Sequence, residues 1–162
     1  MPGYRRQYSA EASVESRPMS RRVRLFVSKT GKRLIKRRST IAGWGIYAGQ
    51  AITKNSRIID YDGEKISHAE SRRREEAQCA NGHIWCFTVH NRLVRDAAVG
   101  GNEARFINHS CKPNCYVETV GDMIWIRAAR NIRRGEELNY DYNTGGGAEI
   151  PCRCRPGCTN KL

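Results

Sequence analysis

The sequence predicts a mainly β fold built from several small sheets with few short helices. Three observations predict it: short β-branched and aromatic runs recur at irregular spacing, turn residues punctuate them, and one segment alone switches to a helical pattern. At 162 residues the chain is about one domain's length, enough to bury a core without disulfides and too short for a second catalytic domain.

Residues 1–21 are rich in Arg, Ser and Pro and poor in apolar side chains, the composition of a disordered basic tail, so structure is expected to begin near Arg22. Val23 to Ser28 and Arg33 to Arg38 flank Thr30-Gly31-Lys32 and read as a hairpin at the edge of a sheet. Ile46-Tyr47-Ala48 and Arg57 to Tyr61 read as short strands around the polar turn Thr53-Lys54-Asn55-Ser56. Ser67-His68-Ala69-Glu70 has capping-box spacing, in which a hydroxyl and a carboxylate satisfy the first free amides of a helix, and predicts a helix from about His68 to Gln78. Its run Arg72 to Glu76 reads as a solvated face of side-chain pairs. Ile84 to Val89, Leu93 to Asp96, Tyr116 to Val120 and Met123 to Arg130 are further strands, the last two joined by Gly121-Asp122.

The formal net charge is +13, and residues 1–38 hold 12 Lys/Arg against Glu11 and Glu15. A basic arm of this kind suits nucleic acid or an acidic partner, and equally a solvated tail. No apolar run approaches the roughly 20 residues of a membrane span and no secretory signal is evident, so the expectation is a soluble intracellular protein without a membrane partner, monomeric or weakly associating. Seven cysteines, an odd number, argue for metal binding over a disulfide framework.

Chemistry concentrates in four segments. Arg105-Phe106-Ile107-Asn108-His109-Ser110-Cys111-Lys112-Pro113-Asn114-Cys115 packs polar, soft-metal and turn residues more densely than an ordinary core element tolerates. Glu136-Glu137-Leu138-Asn139-Tyr140-Asp141-Tyr142 follows. Cys152, Cys154 and Cys158 then bend around Pro156-Gly157, three thiolates that need a fourth ligand to complete tetrahedral zinc. Cys111 and Cys115 are both candidates for that ligand. Upstream, Gly43-Trp44-Gly45 lets the backbone turn sharply and approach a ligand closely.

In that order, these segments resemble a SET domain, with the likeness running from roughly residue 33 to residue 162. The resemblance implies a SET-domain fold at 22–147, with a knot-like crossing of the C-terminal motifs, and a post-SET-like zinc segment at 148–162. It implies a protein-lysine methyltransferase using S-adenosyl-L-methionine, with Gly43, Trp44, Gly45, Trp85, Asn108 and His109 at the cofactor. It selects Cys111 to join Cys152, Cys154 and Cys158 on Zn²⁺. One departure is that the family's usual Cys-x-Cys-x4-Cys is a residue shorter here, a tightening for a Pro-Gly turn to absorb. Tyr142 falls at the catalytic tyrosine position. Tyr140 falls at the position whose residue sets the number of methyl groups, and a tyrosine there implies mono- or dimethylation. Tyr61, Trp85, Phe87 and Tyr140 would line the lysine channel, Trp85 standing where a tyrosine is usual.

Other residues have plainer readings. Arg105 and Asn114 brace their segment, Cys79 and Cys86 pack, and Glu137 and Asp141 cap and pair near Arg133 and Arg134. Asp60, Asp62, Glu64, Glu70, Glu75 and Glu76 are acids that a basic peptide such as a histone tail can face, or an ordinary solvated surface. The substrate is expected to be a lysine in a protein or peptide, and the setting cytoplasmic in a bacterium or chromatin-associated in a eukaryote or an infected host. The alternative is a catalytically silent zinc module binding nucleic acid or protein through its arm. A zinc hydrolase is disfavoured, because an all-thiolate site leaves no open coordination position.

Overall fold

The computed structural model describes residues 23–144 and 147–162, so the basic tail expected at 1–21 lies outside the described residues. The strands are β1 (Arg24–Val27), β2 (Arg33–Arg38), β3 (Trp44–Ala48), β4 (Arg57–Tyr61), β5 (Glu64–Ile66), β6 (Cys86–His90), β7 (Leu93–Asp96), β8 (Asn108–His109), β9 (Cys115–Val120), β10 (Met123–Ala128) and β11 (Asn139–Tyr140), with one α-helix, α1 (His68–Ala80), and a 3-10 turn at Glu103–Phe106. They form sheets β1-β2-β3, β4-β10-β9 and β5-β7-β6, with the parallel pair β8-β11 between the motifs. No described helix is long and apolar enough to cross a membrane.

Alternation explains the strands that were legible. Along β10, Ile124, Ile126 and Ala128 are buried while Met123, Trp125 and Arg127 are half-buried, the period-2 pattern of a strand with one face on the core. Leu34, Ile46, Ile58, Ile107, Ile132 and Leu138 complete that core, each fully buried and each contributing roughly 1.5–3 kcal/mol by leaving water. The predicted hairpin forms, with Val27 opposite Arg33 and β1 at the sheet edge.

Helix α1 begins at Ser67, whose hydroxyl accepts from the Glu70 amide at 3.2 Å. The second half of the expected capping box is absent. Glu70 instead pairs with Arg73 and, at 2.6 Å, with Arg74, one turn away on the same face. The helix also runs two residues past Gln78 and buries Ser71 alone. Its anchoring is therefore polar: Arg74 reaches Glu64 at 2.6 Å and Asp96 at 2.9 Å, and Gln78 donates to Asp96 at 3.0 Å.

Candidate active site

The segment leading to Tyr142 first runs along β3 and then along β8. Ile52 bridges Ile132, the Ala48 amide donates to the Glu136 carbonyl at 2.9 Å, and the Leu138 amide donates to the Ile46 carbonyl at 2.7 Å. Asn139 then pairs with Asn108 and Tyr140 with His109 in parallel register. Asn114 locks the crossing, donating to the Glu137 carbonyl at 2.8 Å and exchanging bonds with Asn139. The glycine segment, Asn108-His109 and Tyr140 to Tyr142 thereby become neighbours.

Glu137 is the hub of this junction, not a partner of Arg133 or Arg134. Its carboxylate accepts from Ser39 Oγ at 2.7 Å, Tyr47 hydroxyl at 2.8 Å and Asn108 Nδ2 at 2.9 Å. The surface pairing expected of it belongs to Glu136, which holds Arg130 at 2.7 Å and the Arg133 amide at 2.8 Å. Asp141 likewise turns away from those arginines, capping the Asn143 amide at 2.9 Å and lying 3.6 Å from His109. The two glycines beside Trp44 are required for different reasons. Gly43 has φ +46°, a conformation side chains disfavour, whereas a Cβ on Gly45 would lie 2.4 Å from Glu137 Oε1.

Two cavities meet here. One, of about 330 Å³, is walled by Gly43, Trp44, Trp85, Asn108, His109 and Tyr142. The other, of about 890 Å³, is walled by Tyr61, Phe87, Tyr140 and Tyr142 among others. Tyr142 belongs to both, its hydroxyl donating to the Ile107 carbonyl at 2.7 Å. Tyr61 donates to the Trp85 carbonyl at 2.8 Å. Tyr140 is 4% exposed and its hydroxyl has no hydrogen-bond partner among the described residues. Burial raises the pKa of all three phenols, so each stays protonated at neutral pH. The Trp85 ring stacks on His83 at 4.1 Å and walls the first cavity, and it is not among the walls of the second.

Asn108 and His109 are largely engaged within the protein. Asn108 Nδ2 also donates to the carbonyls of Trp44 at 3.0 Å and Ala42 at 3.3 Å, which leaves its Oδ1 free toward the cavity region. His109 Nδ1 accepts from the Tyr142 amide at 3.2 Å. That amide can only donate, so the ring proton sits on Nε2, 3.3 Å from Cys111 Sγ. Burial lowers the His109 pKa, keeping this tautomer neutral, although Asp141 opposes the shift. One imidazole therefore connects the tyrosine segment to the cysteine cluster.

The cluster is a metal centre in form. The sulfurs of Cys111, Cys152, Cys154 and Cys158 all lie within 4.8 Å of one another, with Cys111 3.8 Å from Cys152 and 3.9 Å from Cys158. A tetrahedron with bonds of about 2.3 Å has sulfur-sulfur edges of about 3.8 Å, so the thiol set fits zinc. The shortened spacing is absorbed where Gly157 takes φ +72° and the Cys158 amide closes on the Arg155 carbonyl at 3.2 Å. Cys115, the other candidate, is buried beside Asn114 and lies outside the cluster. Ile150, Pro151, Cys152 and Leu162 wall the first cavity, so the segment carrying the C-terminal cysteines also closes that site.

Sequence reasoning missed Glu137 and the polar anchoring of α1. For Glu137 a signal existed in Gly45, since a glycine that faces a carboxylate marks a close approach, but its partner lies 92 positions away and no local pattern names it.

The SET domain family model matches residues 43–143. The chain is 37% identical over 124 residues to histone-lysine N-methyltransferase MEDEA of Arabidopsis thaliana, an alignment covering 74% of this chain and 18% of that protein. It is 41% identical over 125 residues to histone-lysine N-methyltransferase 2D of Homo sapiens, covering 72% and 2%. With histone-lysine N-methyltransferase trr of Drosophila melanogaster the identity is 43% over 130 residues, covering 75% and 5%. The chain belongs to the SET-domain family. It spans less than a fifth of the length of these relatives.

Proposed function

We propose that this protein methylates a lysine side chain of a protein substrate, a histone or another basic protein, using S-adenosyl-L-methionine and stopping at one or two methyl groups. The observation that carries the reading is Tyr142 as a shared wall of two cavities, because methyl transfer needs two ligands to reach one point from opposite sides. The names of the relatives supply the substrate class and, with it, a chromatin setting.

The first cavity suits the cofactor. It offers the Asn108 Oδ1 acceptor, the indoles of Trp44 and Trp85, and Arg105, whose buried Nε has no partner and matches a ligand carboxylate. When bound, S-adenosylmethionine supplies a methyl group on a positively charged sulfur. The chain's own residues align and desolvate. Seating a lysine between Phe87, Tyr61 and Tyr140 takes its amine out of water, and the positive sulfur of a bound cofactor would oppose a second cation beside it, so the lysine loses its proton below its ordinary value near 10.4. The unpartnered Tyr140 hydroxyl then accepts or donates to the amine, limiting its rotation and the room for further methyl groups. Tyr142 fixes the meeting point, held through its hydroxyl and amide. No carboxylate or histidine base is required. Cys111, Cys152, Cys154 and Cys158 hold zinc in a closed, structural role.

The test is labelled S-adenosylmethionine with histones, ribosomal proteins and the protein itself as acceptors. Tyr142→Phe is expected to lower labelling about 100-fold. Equal labelling by wild type and variant overturns the mechanism.

A further inference from the structure

Strand β1 ends one side of the sheet β1-β2-β3, with no strand hydrogen-bonded beyond it among the described residues. The opposite side of the same sheet is covered, because the segment Glu136 to Leu138 bonds Ala48 and Ile46 of β3. Side chains alternate along β1. Phe26 packs against the core opposite the fully buried Leu34, which turns Val23, Leu25 and Val27 to the outer face, where they are 60%, 72% and 65% exposed. Backbone groups alternate as well. The Ser28 amide donates across the hairpin to the Lys32 carbonyl at 2.9 Å, so Phe26 and Arg24 also bond β2, and the N–H and C=O groups of Val23, Leu25 and Val27 point to the open edge. The same three residues therefore expose both apolar side chains and unpaired backbone groups.

A bare sheet edge is a template for another strand, and natural edges are blunted by a bulge, a proline or an outward charge. β1 has none of these. Its register with β2 is unbroken, it contains no proline, and its one charge, Arg24, lies on the face of Phe26, where Glu103 holds it at 2.7 Å. The stretch Val23-Arg24-Leu25-Phe26-Val27 also places its apolar outer residues symmetrically about Leu25. Antiparallel pairing about a two-fold axis at that residue sets Leu25 against its own copy and Val23 against the second copy's Val27, with the outward backbone groups in hydrogen-bonded register. On the other face the same register brings Arg24 to the second copy's Phe26, a cation beside an aromatic ring. Repulsion does not oppose this pairing. Arg33, the cation opposite Val27, stands three strand spacings, about 14 Å, from the second copy's β2, beyond the screening length of about 8 Å at physiological salt.

We propose that β1 is a self-association edge, through which two copies of this protein pair β1 with β1 in antiparallel register and join their three-stranded sheets into one continuous sheet. The inference is independent of the methyltransferase reading. A foreign strand would find no acid and no unpaired charge on this edge to select it, whereas a second copy matches it residue for residue. An edge of four residues buries less than the roughly 1,200 Å² of a standard stable interface, so the association is weak, reversible and governed by concentration.

The experiment is sedimentation of the full chain over about a hundredfold range of concentration, with amide exchange followed by NMR at both ends of the range. Wild type is expected to pass from monomer to dimer, and the Leu25 and Val27 amides to exchange about tenfold more slowly in the concentrated sample, while the Phe26 amide is protected throughout. Leu25→Lys puts a charge against its own copy at an exposed position, and is expected to stay monomeric with the melting temperature of dilute wild type. Val120→Lys, at an exposed apolar residue of β9, is expected to keep the dimer. Sedimentation as a monomer at every concentration overturns the proposal, as does a dimer that Leu25→Lys leaves intact. Full protection of the Leu25 amide in the dilute monomer also overturns it, since the edge is then covered from within one chain.

Discussion

Three hydroxyl or amide groups converge on Glu137, so the carboxylate is satisfied only when Ser39 after β2, Tyr47 in β3 and Asn108 in β8 are all in place. Glu137→Gln keeps the shape but removes the charge and, with its carbonyl on Ser39 and Asn108, obliges the Tyr47 hydroxyl to accept from the new N–H and to keep only the longer 3.3 Å bond to the Arg38 carbonyl. It is expected to cost about 1–3 kcal/mol in urea unfolding and to weaken cofactor binding through Asn108, whereas a substitution at Glu149 should change neither. Tyr140 is the other residue whose surroundings decide its role. With no internal partner, its hydroxyl is free for the substrate amine, and Tyr140→Phe is expected to shift the products toward more highly methylated lysine by mass spectrometry, with little loss of fold. An unchanged product ratio would remove the switch role. Trp85 stacks on His83 and lies beneath Arg105, contacts that hold its ring against the first cavity.

Helix α1 shows how an element can be placed with almost no apolar contact. Ser71 is its sole buried residue, and Arg74, Gln78 and Asp96 do the anchoring. Burial opposes ionisation of Asp96, but bonds from Arg74, the Ala98 amide and Gln78 outweigh it and hold its carboxyl below the ordinary carboxylate range. The sign follows from linkage: a lowered folded-state pKa contributes stability that is fully present above the unfolded value near 3.9 and is lost as pH falls through the lower folded value. Amide exchange in α1 is therefore expected to accelerate as pH is taken from about 5 to below 4, after correction for the intrinsic rate. Asp96→Asn should exchange faster at neutral pH and show a flatter acid response; a variant that tracks wild type on acidification would clear Asp96 of this part.

Across the whole molecule, the cysteine cluster and the candidate active site are one structure. Cys111 follows Ser110 directly after β8, His109 bonds both Cys111 and the Tyr142 amide, and the segment carrying Cys152 walls the first cavity. Removing zinc with a strong chelator is expected to weaken S-adenosylmethionine at least tenfold by calorimetry and to lower the melting temperature, both restored by added zinc. An unchanged cofactor affinity after verified metal loss would separate the two. The sequence by itself determined the sheet-rich architecture, since β10 and the hairpin of β1 and β2 announce themselves by local alternation and turn residues. Three cysteines in need of a fourth thiol were also legible, but the choice of Cys111 over Cys115 and the parts given to the tyrosines came from the family resemblance, and it is the tertiary structure that brings Cys111 to Cys152, Cys154 and Cys158. The two-residue strands β8 and β11 were not legible, being too short for any period, and their parallel pairing joins positions 31 apart. The partners of Glu137 and the division of the acids into paired and unpaired were decided only by the tertiary structure. Charge balance depends on which side chains meet in space, and a chain with cations in excess does not say in one dimension which carboxylates it pairs.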